Sequence, residues 1–407
     1  MKSGPGCPPA ASAAGLNEDS LTLLIVTSKY RPEVCGVGDY SALLAQRLRG
    51  LGHSVDVFTA GDPGAAPEPG VFRCAEWTVP AVHDLAEWIR QQNYSHVLLQ
   101  YTPTGYSRKG AFPPVALLPR LLRKVCPQCR VITTLHELFY VSNVAELRRI
   151  PRNLTVGTAQ RLLLAEVAGH SSAVIVTTGE RRRFVAGLAR VLRWQNQKSL
   201  YEIPVGSNIA PVPFSGLERR SLQEKLGLAG KVVLGSFSTS SAPKLLLGAL
   251  DAVRKSGTDA CLLAVGAETA YLQSTGKEYD ALAPHIVCTG KVPADEASRL
   301  LQLMDVFLLP LADGISARRG TLLAALAHGL PIAGTYGRSS DPWMQASPAF
   351  CLAPAGHSAA FFRAVQEVAA DPARRDALRQ AASALFHRRY TWEAIARDYD
   401  CLIGTQK

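Results

Sequence analysis

Along the chain, short uninterrupted apolar runs alternate with longer stretches whose apolar positions recur every three or four residues. The first run is LTLLIV, residues 21–26, and the stretch YSALLAQRLRGLG after it predicts a helix over about Asp39–Gly50. Runs of the same kind follow at SVDVFT, HVLLQY, RVITTLH, AVIVTT and LYEIPVG, each set apart by a helix-sized stretch. Strands covered by helices on both faces read this way, because no position alternates toward water. SNIAPVPFSGLERRS, residues 207–221, has no period and carries prolines, so it is the expected linker. A second series then begins with KVVLGSFS, ACLLAVGA, HIVCTG, DVFLLP, LPIAGT and AFCLAP, with helical patterns such as DEASRLLQLM and RGTLLAALAH in the gaps. YTWEAIARDYDCLIG reads as an amphipathic helix within residues 389–407 that packs back on the first domain. The expected fold class is α/β: two doubly wound Rossmann-like domains, residues 21–206 and 222–388, facing across a cleft, after a loose tail over residues 1–20. Ligands of such sheets sit beyond the carboxyl ends of the strands.

Composition narrows the function classes. The chain has 407 residues and a formal charge of +11. No apolar run is long enough to span a bilayer, so the sequence predicts a soluble, cytoplasmic protein. Nine scattered cysteines fit reduced thiols, and the single CPQC, Cys126 to Cys129, lacks the second ligand pair of a zinc site. No motif or aromatic-interleaved basic stripe points to nucleic acid. Basic residues cluster at Arg148-Arg149, Arg181 to Arg183, Arg318-Arg319 and Arg388-Arg389. Such clusters are either solvated helix faces or contacts for a small anion or an acidic membrane. PPVALLPRLLRKV, Pro113–Val125, is apolar on one face and basic on the other. It suits either packing on the first sheet or peripheral contact with an anionic inner membrane face and a lipid-linked acceptor.

Four stretches carry chemistry. In SKYRPEVCGVGDYSALLA, Gly36 and Gly38 let the backbone approach a ligand just before a helix whose free N–H groups attract anions. In TTLHELFY, His136 directly follows a strand at the sheet's carboxyl edge, with Glu137 beside it as a candidate orienting group. In GSFSTSSAPKLLLGAL, a strand ends at Gly235 in a loop whose Ser236, Ser238, Ser240 and Ser241 can donate to phosphate oxygens. Lys244 opens the next helix, where it opposes the dipole unless an anion is near. The fourth stretch, LADGISARRGTLLAALAHGLPIAGTYG, follows the buried run DVFLLP. Gly320 and Thr321 start a helix there, which places Arg318 and Arg319 at its positive end and calls for a counter-anion. A diphosphate fits, since guanidinium forks match phosphate oxygens. Asp313, Gly314, Ile315 and Ser316 form a turn that can hold sugar hydroxyls by side chain and backbone.

With these stretches in view, the chain from Leu21 onward resembles the retaining, group 1 (family 4-like) branch of GT-B nucleotide-sugar glycosyltransferases. Its best local signals are PEVCGVGDYSALLAQRLRGLGHSVDVFT, VITTLHE, SSAVIVTT, IPVGSNI and MDVFLLPLADGISARRGTLLAALAHGLPIAGTYG. The resemblance implies transfer of a sugar from a nucleoside diphosphate sugar to an acceptor hydroxyl, with retention and with no cofactor. It implies that Gly36 and Gly38 face donor diphosphate and acceptor, that His136 meets the donor sugar, and that Lys244 neutralises the departing diphosphate. The arginine usual several residues before that lysine is absent, and Arg318 or Arg319 is the candidate substitute. The family's Glu-x7-Glu pattern is also altered. Aligned on AALAHGLP, Ser316 and Ala324 take the two glutamate positions. With DGIS taken for EGFG, Asp313 is the first acid, and the second, which holds the ribose in relatives, is gone either way. No ligand set for a metal is visible, so metal-independent transfer is expected. A non-catalytic nucleotide-sugar binding protein, or the inert partner of an assembly, is the alternative.

Overall fold

The computed structural model describes residues 20–33, 35–61, 68–107, 112–138, 151–191, 199–239 and 241–405. Most of the expected tail, Arg148, Arg149 and Ser240 lie outside the described residues. Contacts divide the chain into two units. One runs to Ile203 and resumes at Ile395, and the other is Pro204–Ala394.

The first unit holds β1 (Thr22–Val26), β2 (Ser54–Ala60), β3 (Val71–Cys74), β4 (His96–Tyr101), β5 (Arg130–Leu135), β6 (Ala173–Val176) and β7 (Leu200–Glu202). All pairings are parallel, in the order β3-β2-β1-β4-β5-β6-β7. The order reverses between β1 and β4, and crevices for ligands open at such switch points. β1 and β4 are sealed on both faces, with Leu23, Leu24, Ile25, Val97 and Leu98 fully buried, which is why they read as unbroken apolar runs. β3 was not expected. All four of its residues are only half-buried, so the short edge strand leaves no clear apolar pattern.

In the second unit, β8 (Val232–Phe237), β9 (Ala260–Val265), β10 (Ile286–Cys288), β11 (Val306–Leu309), β12 (Ile332–Tyr336) and β13 (Phe350–Pro354) pair in parallel. Their order is β10-β9-β8-β11-β12-β13, which reverses between β8 and β11. The serine-rich loop and the arginine-bearing loop leave from those two strands. Two apolar clusters, one on each face, cover this sheet.

Two expectations change. The second half of the linker is a helix, Gly216–Lys225, started by a reciprocal cap in which Ser215 Oγ accepts from Glu218 N–H and Glu218 Oε2 accepts from Ser215 N–H. The stretch from Pro113 splits into a 3₁₀ turn, Pro114–Leu117, and a helix, Leu118–Val125. Its apolar residues Leu118, Pro119 and Leu122 are buried, and Leu118 and Leu122 belong to the first unit's core, leaving Arg120, Arg123 and Lys124 as the exposed face. Cys126 and Cys129 are buried free thiols, and burial, with Cys126 beside it, pushes the Cys129 thiol up to about 12. That thiol is therefore not primed for redox exchange. Among the described residues no helix is long and apolar enough to cross a membrane, and no group of three or more His, Cys, Asp or Glu is placed to hold a metal ion.

Candidate functional site

At the carboxyl edge of the first sheet, the loop after β1 leads into the helix Gly36–Gly50, whose N-terminus has no side-chain cap. The two glycines differ in what they permit. A Cβ on Gly38 would lie 2.7 Å from the Lys29 carbonyl oxygen, so glycine lets the helix pack onto its own entry loop. A Cβ on Gly36 would meet nothing within 4 Å, and this residue is exposed.

His136 follows β5 and is 9 % exposed. Its partner is not Glu137, whose carboxylate accepts from Thr104 Oγ1 at 3.3 Å. His136 Nε2 instead stands 2.8 Å from Gln100 Oε1, near the end of β4. The Tyr40 ring meets the imidazole edge-on at a centroid distance of 4.8 Å. Burial, then the positive charge of Arg181, drives the imidazole down to about 3, so it is neutral at working pH. Arg181 itself donates to Thr177 Oγ1 at 2.7 Å just after β6. A cation within reach of a neutral, ordered imidazole is thus part of this edge. The sequence shows Arg181 only as one member of a basic run.

At the edge of the second sheet, Asp313 gathers the arginines. Arg318 Nη2 donates to its Oδ2 at 3.0 Å, and Arg319 Nη2 donates to both oxygens at 3.0 Å. Ser339 Oγ adds a donor at 3.0 Å. Burial works to raise this carboxyl, but Arg319, Ser339 and Arg318 together hold it below its ordinary value. The counter-anion that the arginine pair demands is therefore supplied in part by the chain itself. Two guanidiniums share one carboxylate, so one positive charge is left over, on side chains about one-third exposed.

Local backbone explains the arrangement. Gly314 has φ +86°, and its Cβ would fall 2.2 Å from Gly337 N, so only glycine lets the two loops touch. Ile315 N–H donates to Thr335 O, which extends the β11–β12 ladder into the loop. The Ile315 side chain is fully buried in the core, which leaves only its backbone for a ligand. Arg319 is the N-cap of Gly320–Ala327, with no side-chain cap on that helix. Buried around this N-terminus are Ser316 Oγ, Thr321 Oγ1 and Arg319 Nε, none with a hydrogen-bond partner among the described residues. A Cβ on Gly320 would meet nothing within 4 Å. Ala324 is fully buried.

The serine loop is more mixed. Ser236 is buried with an unpartnered Oγ, and Ser238 has φ +64°. Gly235 is a packing glycine, since a Cβ there would lie 2.0 Å from Met304 Sδ. Lys244 does not join the arginine cluster. It is exposed at the second position of the helix Pro243–Lys255, where it lines a groove of about 380 Å³ with Leu247, Asp251, Glu278 and Phe362. Of the two carboxylates in that groove, Asp251 accepts from Lys255 Nζ at 2.7 Å.

Two parallel α/β units with these switch-point edges define the GT-B architecture, and solved structures agree. Sucrose-phosphate synthase from Thermosynechococcus elongatus superposes with a TM-score of 0.66 at 16 % identity, covering 95 % of this chain and 98 % of that one. Anabaena HepE, solved in complex with UDP and glucose, gives 0.64 at 14 % identity, covering 95 % and 100 %. WaaG, a glycosyltransferase involved in lipopolysaccharide biosynthesis, gives 0.63 at 13 % identity, covering 94 % and 99 %. At these identities the likeness is one of fold. Residues 231–371, within the second unit, match the model of the family glycosyl transferases group 1. No curated protein matches the chain significantly.

Proposed function

We propose that this chain is a glycosyltransferase that moves a hexose from a nucleoside diphosphate sugar to an acceptor hydroxyl, with retention and without a metal ion. The observation that carries this is the helix N-terminus at Arg319. It is uncapped, flanked by two guanidiniums with surplus positive charge, and lined by Ser316 and Thr321 hydroxyls without partners. Such a site suits a diphosphate, whose oxygens accept from N–H, O–H and guanidinium donors together. Charge that builds on the departing diphosphate is neutralised by Arg318 and Arg319, which lower the barrier most where that charge develops. Gly320 and Thr321 offer backbone donors to the same group. His136, neutral and held by Gln100, meets the donor sugar or the acceptor hydroxyl, and Gly36 and Gly38 border the acceptor.

The HepE structures hold UDP and UDP-glucose, which makes UDP-glucose the first donor to try. The deciding experiment is a thermal-shift and product screen across nucleoside diphosphate sugars, run with a chelator present. Turnover with the anomeric configuration kept, by NMR of the product, is expected. Binding without any product favours the second reading, a nucleotide-sugar binding protein or an inert partner subunit. That reading is supported by Ala324, which stands where the family resemblance expects a ribose-binding carboxylate. Synthesis of a polysaccharide, glycolipid or other glycoconjugate at the inner membrane face fits the exposed Arg120, Arg123 and Lys124. Contact there is electrostatic, since the apolar face of their helix is buried. Flotation with anionic vesicles that persists at high salt contradicts that mode.

A further inference from the structure

A carboxylate has room for about four hydrogen bonds. Asp313 already accepts four, one from Arg318 Nη2, two from Arg319 Nη2 and one from Ser339 Oγ, each at 3.0 Å. Both guanidiniums are thus held by an anion that belongs to the chain. The hold is incomplete. Arg319 meets Asp313 through one nitrogen only, and its Nε is buried without a partner among the described residues. The paired Nε and Nη2 donors that match a two-oxygen anion are therefore not both used. Ser316, 1 % exposed, and Thr321 also keep unpartnered buried hydroxyls around the same helix N-terminus. A carboxylate whose four places are taken cannot satisfy them, and buried polar groups left unmatched cost free energy.

The two sides of this ion cluster differ in freedom. The Asp313 backbone is pinned, since its carbonyl oxygen accepts from Ser339 N–H at 2.9 Å and Ile315 N–H, two residues on, donates to Thr335 O at 2.7 Å. Its short side chain has little reach from that fixed point. The arginines stand on long side chains that are about one-third exposed. A change of partner at this site is therefore made by the guanidiniums, with the carboxylate staying where it is. A diphosphate brings more acceptor oxygens than a carboxylate. It can take over the bonds that Asp313 now accepts and also meet Arg319 Nε, Ser316 and Thr321. A ligand with one carboxylate offers no more than Asp313 and gains nothing by the exchange.

We propose that Asp313 is a placeholder for phosphate that sets the selectivity of the site: it holds both guanidiniums, tied in place by Ser339, until a diphosphate draws them off. The proposal rests on the diphosphate seat described under the function above. An internal rival lowers the apparent affinity of every ligand that must displace it. Weak anions are thereby excluded from the helix N-terminus, and a diphosphate, with its larger set of acceptors, is admitted.

The test is calorimetric titration of the full chain with UDP, with uridine as the control that carries no phosphate. Asp313→Asn is expected to bind UDP about tenfold tighter and uridine within about twofold of the parent, the size of one charge-assisted hydrogen bond no longer in competition. Ser339→Ala removes a bond that holds the carboxylate and changes no charge, so it is expected to tighten UDP about threefold. Weaker or unchanged UDP binding in Asp313→Asn overturns the proposal, since it makes Asp313 a support for the arginines or a bystander. Tighter binding in Asp313→Asn with no change in Ser339→Ala also overturns it, because removal of a nearby negative charge then accounts for the whole effect. If Asp313→Asn does not fold, Ser339→Ala decides alone: tighter binding supports the proposal, and equal or weaker binding overturns it. The expected order of variants in a chain that transfers no sugar removes the proposed transfer and keeps the placeholder. A parent that binds inorganic pyrophosphate but not UDP, with the same order of variants, does likewise. A parent that binds neither overturns both.

Discussion

The carboxyl edges of the two sheets solve different problems. In the first unit the groups around the neutral His136 are buried: His136 meets Gln100 at 2.8 Å, and the Tyr40 ring that packs on the imidazole carries a hydroxyl bonded to Tyr399, which in turn meets Thr134. In the second unit the groups are charged and one-third exposed, with more donors than acceptors around Asp313. A neutral, pre-ordered edge suits a sugar hydroxyl, which asks for direction more than charge. A surplus of positive charge at a helix N-terminus suits a diphosphate, which asks for charge more than direction. The same fold, repeated, is thus chemically divided by which side chains stand at the switch points.

Removing the charge should break the contrast most. The variant Arg318→Ala/Arg319→Ala is expected to weaken UDP-glucose binding about a hundredfold by calorimetry, since each charge-assisted hydrogen bond is worth roughly 1.5–3 kcal/mol. Unchanged affinity would falsify the assignment. Next comes the buried imidazole. Its folded-state pKa is depressed from 6.5 to about 3, so the unfolded chain binds the extra proton. The His136 contribution is whole above about pH 6.5 and is lost progressively as pH falls toward 3, at up to about 1.4 kcal/mol per unit. His136→Gln should flatten that part of a stability-against-pH curve measured by denaturant unfolding, and an unchanged slope contradicts the burial. A smaller effect separates the glycines. Gly38→Ala must push back the Lys29 carbonyl and should cost about 1–3 kcal/mol, whereas Gly36→Ala, with open space around it, should change stability by less than about 1 kcal/mol. Equal melting temperatures for the two would remove the packing account of Gly38. The smallest effect belongs to Lys244. Lys244→Ala should leave UDP-glucose affinity within about twofold, because its groove is shared with Asp251 and Glu278. A loss as large as that of the arginine pair would return Lys244 to the diphosphate.

Much of this was legible beforehand, for identifiable reasons. Strands buried on both faces announce themselves, so β1, β4, β8 and β11 and the loops behind them follow from apolar runs alone. β3 is half-exposed throughout and carries no such mark. The helix Gly216–Lys225 has no buried residue, so its periodicity is silent, and only the Ser215–Glu218 pair marks its start. Arg318 and Arg319 at a helix N-terminus were readable, but their bond to Asp313 was not, since a separation of five or six along a loop has no regular geometry. Gly235 carries the opposite lesson: a glycine at a strand end looks like room for a ligand, and here it is room for Met304. Gln100 lies 36 residues from His136 in the chain, and a pairing that distant leaves no local trace. The place of His136 just after a strand is legible, but the adjacent Glu137 is not its partner: that carboxylate accepts from Thr104.

The most direct measurement is a crystal structure of this protein with UDP bound. The account predicts diphosphate oxygens within hydrogen-bonding distance of the Arg318 or Arg319 guanidinium and of the N–H groups that open the helix at Gly320. A diphosphate seated elsewhere, with both guanidiniums still spent on Asp313 alone, contradicts it.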